Sequence, residues 1–216
     1  MRYESITPAK FINRPNRFIA NVEIDGQPVT VHVKNTGRCK ELLLLGVTVY
    51  LEKAKNPERK TPYDLIAVET PIGIINIDSQ APNAVVKEWL LKQDYDKVVP
   101  EYKYGNSRID FYMEKGSEKY LMEVKGCTLI KAGIGYFPDA PTERGVKHLR
   151  ELAAASKLGY HATVAFVIQV EGVSEVRPNI ETHPEFGIAL AEAKAAGVEI
   201  LCLQCKVKRD ELTIIS

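Results

Sequence analysis

Long apolar runs are missing from this sequence. Of its 216 residues 45% are apolar, yet they never gather into the roughly 18–20 consecutive ones that a membrane-spanning helix needs. The opening stretch "MRYESITPAKF" lacks the apolar core of a secretory signal, so a cytoplasmic location is expected. Cysteine is scarce: Cys39, Cys127, Cys202 and Cys205 suit a reducing compartment better than a disulfide framework. Cys202 and Cys205, in "CLQC", have the spacing of half a zinc site. They fall in "VEILCLQCKVK", which reads as a strand, where residues three apart point to opposite faces. No second Cys or His pair accompanies them, so core positions are expected and zinc is not. An excess of charge of one sign is also missing. The 29 Lys and Arg against 28 Asp and Glu leave a net charge of +1. A strongly basic domain would announce a phosphate partner, so any basic surface here must come from local arrangement.

What is present changes in texture near residue 80. Before it the chain reads mainly β. "RFIANVEIDGQPVTVHVKN" is two strands around an Asp25-Gly26 turn, and 46–54, 63–71 and 73–78 add three more. "GRCKELLL" is read as a short helix between them. Five short strands suit a small barrel. After it come a helix over 81–93, strands at 97–104, 107–114 and 119–125, and a helix over 142–158. Thr142 could cap the start of that helix and Gly159 its end. A buried strand over 161–170, a helix from "HPEFGIALAEAKAAG" and the strand "VEILCLQCKV" complete the order.

The stretch "RIDFYMEKGSEKYLMEVKG", residues 108–126, carries the chemistry. A two-residue turn fixes strand register. If Gly116-Ser117 is that turn, Asp110 stands across from Glu123. A second turn at Gly105-Asn106 puts Glu101 across from Asp110. Three carboxylates then form one row, with Lys103, Arg108 and Lys125 in the next row on the same face. The opposite face, with Phe111, Met122, Ile109 and Val124, is apolar. Facing side chains lie about 4.5–5.5 Å apart, and like charges so placed repel. The row requires solvent, a proton or a cation, and a divalent oxygen-seeking ion such as Mg²⁺ is an economical answer. The competing reading is a solvated face whose acids and bases compensate each other.

Acid on one strand and Glu-x-Lys on the next, between two helices, resembles the P-D-(D/E)-x-K nuclease fold. Asp110 and "EVK", Glu123 to Lys125, occupy those positions, with Ile109 where the fold has proline. The runs "EYKYGNSRIDF", "MEVKG" and "GYFPDAPTERGVKHLREL", with "NTGRCKELL" and "NRFIANVEIDG" near the start, resemble the sugar fermentation stimulation protein family over nearly the full length. The resemblance implies an α/β chain of α+β two-domain type. Residues 1–80 would form an N-terminal five-stranded OB-type β-barrel, a candidate nucleic-acid-binding domain. Residues 81–216 would form a nuclease-like domain with a mixed sheet and an acidic metal site. It also implies DNA as partner and a regulatory link to sugar metabolism, maltose genes in particular.

On that footing Asp110 and Glu123 would hold Mg²⁺ or Mn²⁺, joined by the Val124 carbonyl as the fold's pattern implies. Glu101 would assist directly or through water. Lys125 would orient the attacking water and offset charge in the transition state. Arg144, Lys147, His148 and Glu151 make one polar stripe of the helix over 142–158. Arg144 and Lys147 are candidate phosphate contacts there, against the ordinary alternative of a solvated face, and His148 is secondary. Glu88, on the preceding helix, is a secondary candidate acid. Arg14, Arg17, Lys34 and Arg38 cluster around the first hairpin and, with Lys103 and Arg108, complete the candidate DNA contacts. The function expected is a DNA-binding protein with metal-dependent phosphodiester hydrolysis. The alternative is a non-catalytic DNA-binding regulator on the same scaffold.

Overall fold

A computed structural model of the chain describes residues 1–35, 37–105 and 107–215. Six strands come first: β1 (Ile6–Asn13), β2 (Ile19–Ile24), β3 (Gln27–Val33), β4 (Thr48–Lys53), β5 (Tyr63–Thr70) and β6 (Gly73–Asn76). They run in the order β3-β2-β1-β4-β5-β6, and β3 also pairs with β5, so the first five close a barrel. Closure leaves β3 and β5 without free edges. Asp25 and Gly26 both have positive φ, 49° and 77°, which is what a tight two-residue hairpin demands. Val22, Val31, Val49, Leu51, Leu65 and Val68 fill the interior.

Two expectations for this half need correction. The strand 73–78 does not close the barrel; β1 does, and β6 only extends the edge of β5. Pro8 and Lys10 hide the alternation of β1, although Ala9 and Phe11 are buried. The stretch "GRCKELLL" is turns rather than helix, with the amides of Leu42 and Leu43 both donating to the Cys39 carbonyl.

The second half begins with α1 (Ala81–Leu90), which opens on Pro82 where a missing N–H costs nothing. It continues with β7 (Lys97–Tyr104), β8 (Ser107–Lys115), β9 (Glu118–Cys127), β10 (Leu129–Lys131), β11 (Ile134–Phe137) and α2 (Glu143–Lys157). It ends with β12 (His161–Ile168), β13 (Val176–Pro178), α3 (Pro184–Ala195), β14 (Glu199–Lys208) and β15 (Glu211–Ile214). The main sheet runs β15-β14-β12-β9-β8-β7. Within it β9, β12 and β14 are parallel and the other pairings antiparallel, so the sheet is mixed. The short strands β10, β11 and β13 make a separate small sheet. Among the described residues no helix is long and apolar enough to cross a membrane.

Helix α1 covers one face of the main sheet, packing Val85, Val86 and Leu90 with Phe111, Met122, Val124 and Leu203. Helices α2 and α3 cover the other, where Leu149, Leu152 and Ala189 meet Leu121, Val164 and Phe166. Both faces are covered around Asp110, Glu123 and Lys125, and only Glu101, Lys103 and Arg108, toward the β7 edge, keep the solvated charged face drawn from the pattern. Thr142 Oγ1 accepts the Gly145 amide at 3.0 Å and caps α2, while Gly159, at φ 90°, follows its end. Cys202 packs against the barrel core and Cys205 in the α1 layer, as opposite faces of a strand require.

The halves are riveted by Gln169, just past β12. Its buried Nε2 donates to the Asn76 carbonyl and Oδ1 and to the Asp78 carbonyl, at 3.0, 2.9 and 3.2 Å. Its own backbone joins both sides, donating to Cys127 and accepting from Asn76, each at 3.0 Å. A side chain at Gly126 would collide with the Gln169 amide oxygen, so the glycine after Lys125 permits this close approach.

Candidate metal centre

The Gly116-Ser117 turn sets the β8–β9 register from Lys115↔Glu118 to Phe111↔Met122. The β7–β8 ladder runs Tyr104↔Ser107, Lys103↔Arg108, Tyr102↔Ile109, then Pro100↔Phe111 onward. Asn106, half of the second turn, lies outside the described residues. Both ladders lapse at the acids: neither the rung Glu101↔Asp110 nor Asp110↔Glu123 is made. Asp110 uses its side chain instead. Its Oδ2 accepts the Val124 amide at 2.7 Å and its Oδ1 accepts Asn83 Nδ2 at 2.8 Å.

Glu101 leaves the expected row. Its φ is 53°, and a left-handed residue inside a strand turns over the pleat that follows. Tyr102 and Ile109 accordingly join the α2 layer, while Phe111, two residues from Ile109, joins the α1 layer. The Glu101 carboxylate is exposed and lies 3.8 Å from Arg108. The acid row thus shrinks to Asp110 and Glu123.

Glu123 is only 2% exposed. Its Oε1 accepts Lys125 Nζ at 2.6 Å and is also contacted by His148 Nδ1 from α2. Arg144 Nε donates to His148 Nε2 at 3.4 Å. A guanidinium only donates, so Nε2 is the acceptor and Nδ1 carries the proton toward Glu123. Glu123 Oε2, in contrast, is buried with no hydrogen-bond partner among the described residues. Arg14 Nε and Glu151 Oε2 share that condition, but Glu123 has the half-buried Asp110 close enough for the two charges to act on each other.

The two carboxylates are pushed in opposite directions. Burial and then the Glu123 charge hold Asp110 above the ordinary carboxylate range, against the Val124 amide, Asn83 and Lys125. Burial also raises Glu123, but the His148 hydrogen bond and the Lys125 charge outweigh it and leave Glu123 low.

These residues fit a hard divalent cation. Among the described residues no group of three or more His, Cys, Asp or Glu side chains is gathered for a metal. Two carboxylates suffice for Mg²⁺, which commonly takes one or two and completes its shell with water and substrate phosphate. Their oxygens are the right donor type, and a buried unpartnered Glu123 Oε2 is what a missing ligand leaves behind.

The remaining candidates are scattered. Glu88 pairs with the Met1 amino group at 2.7 Å, far from the acids in function. It is Asn83 that α1 brings to Asp110, and five residues along a helix is about 140° of rotation, which points Glu88 elsewhere. Arg14 donates to the carbonyls of Arg17, Asn35, Gly37 and Arg38 and so ties the loop after β1 to the one after β3. Lys34 sits 3.5–3.6 Å from Glu52, Asp64 and Asp78 at the barrel's edge. Lys103 and Arg108 face each other, exposed, on β7 and β8. Lys147 is exposed and 3.7 Å from Glu151. Arg17 and Arg38 line a cleft between the two halves. Asn83 and Gln169 escaped sequence reasoning. One polar residue in a helix's first turn and another after a buried strand carry no signal until their neighbours are known.

Comparison with known proteins adds three findings. A family model described as "Sugar fermentation stimulation protein RE domain" matches residues 80–211, and "SfsA N-terminal OB domain" matches residues 12–77. A "Sugar fermentation stimulation protein homolog" of Desulfitobacterium hafniense is 52% identical over 215 residues, 98% of this chain and 94% of the relative. A homolog of the same description from Clostridium beijerinckii is 54% identical over 218 residues, 99% and 96% of the two chains. The solved structure of Pyrococcus furiosus SfsA in complex with Ca²⁺ is 28% identical with a TM-score of 0.87, covering 100% of this chain and 94% of that one.

Proposed function

This chain belongs to the sugar fermentation stimulation protein (SfsA) family, and from that premise we propose that it binds DNA and hydrolyses phosphodiester bonds with a divalent cation, Mg²⁺ or Mn²⁺, held by Asp110 and Glu123. The observation that carries the reading is the buried, unpartnered Glu123 Oε2 beside a second carboxylate. The Ca²⁺ bound to the Pyrococcus relative supports it. When bound, the cation supplies Lewis-acid polarisation of a phosphoryl oxygen and activation of water.

The chain's own residues do the rest. Asp110 is aimed by the Val124 amide and Asn83, and Glu123 by His148, so neither carboxylate has to reorient. Both retain lone pairs, and the Val124 carbonyl is the third ligand of this reading. Lys125 sits on Glu123 with three donor protons. Moving one toward a phosphate orients the attacking water and offsets the charge that grows in the transition state. Regulation of sugar metabolism, which the family name records, would follow from DNA binding with or without cleavage. The 2.6 Å bond that engages Lys125 with Glu123 favours a second reading, a DNA-binding regulator that keeps the acids without catalysis.

The test is incubation of single-stranded, duplex and branched DNA with Mg²⁺ or Mn²⁺, using wild type, Asp110→Ala and Lys125→Ala. Cleavage that needs the metal and falls to background in both variants is the expected result. Tight binding without cleavage, unchanged in either variant, would leave the regulator.

A further inference from the structure

A cleft of about 810 Å³ opens between the barrel and the nuclease-like half. One wall is the end of β1 with the loops that follow β1 and β3; the other is the segment Phe137–Thr142 leading into α2. Its volume lies in the range of ligand sites, about 300–1,000 Å³. Arg17, Arg38 and Lys40 line it and are not in an ion pair with any carboxylate among the described residues. Asp139 is the sole carboxylate of the described lining, set against Gly37. Three unpaired cations around one cleft stand out in a chain whose net charge is +1.

The cations are held in place from below. Arg14 spends its guanidinium on the backbone carbonyls of Arg17, Asn35, Gly37 and Arg38. That brace ties the two loops carrying Arg17 and Arg38 together before any ligand arrives, which lowers the cost of ordering them on binding. Leu43, Phe137, Pro141 and Leu45, the last 80% exposed, add apolar surface beside the polar Asn13, Asn16 and Thr142.

That mixture selects among nucleic acids. A duplex offers proteins its phosphates and base edges, while the flat base faces are stacked inside. A single strand offers phosphates and base faces together, so cations interleaved with apolar surface match it. A second cavity leads from the cleft toward the acids without being lined by them. Smaller, at about 160 Å³, it shares Gly37, Phe137 and Asp139 with the cleft and reaches Pro82 and Gly126, the chain neighbours of Asn83 and Lys125. We propose that this inter-domain cleft binds single-stranded DNA, phosphates on Arg17, Arg38 and Lys40 and bases against Leu45 and Phe137, and so makes single strands the substrate class of the acid centre. The substrate assignment rests on the nuclease reading; the binding itself needs no cleavage.

Fluorescence anisotropy of the full chain with a labelled oligothymidylate, in EDTA so that nothing is cut, tests it. Wild type should bind the single strand at least tenfold more tightly than a hairpin duplex. The double variant Arg17→Glu/Arg38→Glu should bind at least tenfold more weakly, with a salt slope shallower by about 1.4, or about 0.7 for each lost phosphate contact. Leu45→Ala should weaken binding and leave that slope unchanged. Lys208→Glu, on β14, should behave as wild type, and circular dichroism confirms that each variant is folded. A double variant that binds like wild type, a duplex bound as tightly as the single strand, or thymidine monophosphate competing as well as the oligomer, each overturns the proposal. Single-strand binding that depends on both arginines in a chain that cuts no DNA would remove the catalytic reading and leave this one standing.

Discussion

Asp64, in the barrel, and Glu123, in the C-terminal half, are both buried carboxylates, 4% and 2% exposed. Asp64 has each oxygen covered: Arg59 reaches them at 2.8 and 3.1 Å, His32 Nδ1 donates at 2.8 Å, and Lys34 stands 3.5 Å away. Lys34 in turn lies between Asp64, Glu52 and Asp78, and Asp78 accepts the Tyr3 hydroxyl at 3.2 Å. Glu123 has Lys125 and His148 on one oxygen and nothing on the other. A saturated cluster of buried charge holds a structure together; an unsaturated one leaves lone pairs for a ligand, as the proposed centre requires. Cations surround both acids, so charge alone does not separate the two roles. The unfilled lone pairs do.

The comparison can be broken most forcefully at Asp64. Replacing it with alanine leaves Lys34 and Arg59 half-buried without their shared anion, and removal of one partner of a buried pair costs about 3 kcal/mol or more. Chemical denaturation of Asp64→Ala should show that loss with and without divalent cation. A loss below about 1 kcal/mol, the size of an exposed pair, would mean that the barrel cluster is no brace. Glu123→Gln should differ in its response to cation. In cation-free buffer Lys125 and His148 lose the charge they share, and the melting temperature should fall. Wild type, with cation about 100-fold above its dissociation constant, should gain about 2.7 kcal/mol that the variant forgoes. An equal gain in both would remove Glu123 from the centre.

A smaller effect is expected at His148, which touches the acid and not the ion. His148→Asn should weaken Ca²⁺ or Mg²⁺ binding about 10–100-fold by calorimetry, as loss of an orienting partner does. Unchanged affinity would make His148 a packing residue only.

The mildest change comes from acid. Burial raises Asp64, but the hydrogen bonds from Arg59 and His32 and the Lys34 charge outweigh it, so its folded pKa lies below the ordinary carboxylate range. A carboxyl depressed on folding contributes stability above its unfolded pKa of about 3.9, and loses that contribution as pH falls through the lower folded value. Lys34 works from the other side. Burial lowers it, but Asp78, Asp64 and Glu52 together raise it above its usual value. Its contribution is full below the unfolded lysine pKa of about 10.4 and fades as pH rises through the folded one. Melting temperature against pH should thus be flat through neutrality as far as this cluster is concerned, falling below about pH 4. In Asp64→Ala the acid fall should be shallower than in wild type, and an identical fall would mean that other carboxylates govern it.

How much could be read beforehand differs between the two clusters. The hairpin that brings Asp110 near Glu123 was legible because a two-residue turn and a strand period of two are local rules, although the expected rung between the two is not made. The ladder from Lys115↔Glu118 to Phe111↔Met122 obeys them. Glu101 was misplaced because a left-handed residue inside β7 carries no sequence signature, yet it turns the pleat and sends the carboxylate to solvent. Lys34 looked like a surface cation beside Arg14 and Arg17. Its real neighbours, Glu52, Asp64 and Asp78, come from β4, β5 and the segment after β6, and barrel closure alone brings them together.

By itself the sequence determined the elements with strong local rules: the Asp25-Gly26 and Gly116-Ser117 hairpins, the Thr142 cap, the amphipathic α2, and the opposite facing of Cys202 and Cys205. Each depends on residues a few positions apart, where backbone geometry leaves few choices. Tertiary structure alone decided that β1 rather than β6 closes the barrel, that Asn83 rather than Glu88 reaches the acids, and that Gln169 rivets the halves. It also decided that Arg14 ties two loops together while Arg17 and Arg38 face an open cleft. Those outcomes depend on which groups remain unsatisfied once distant segments pack, and a buried polar atom takes whatever partner the packing brings.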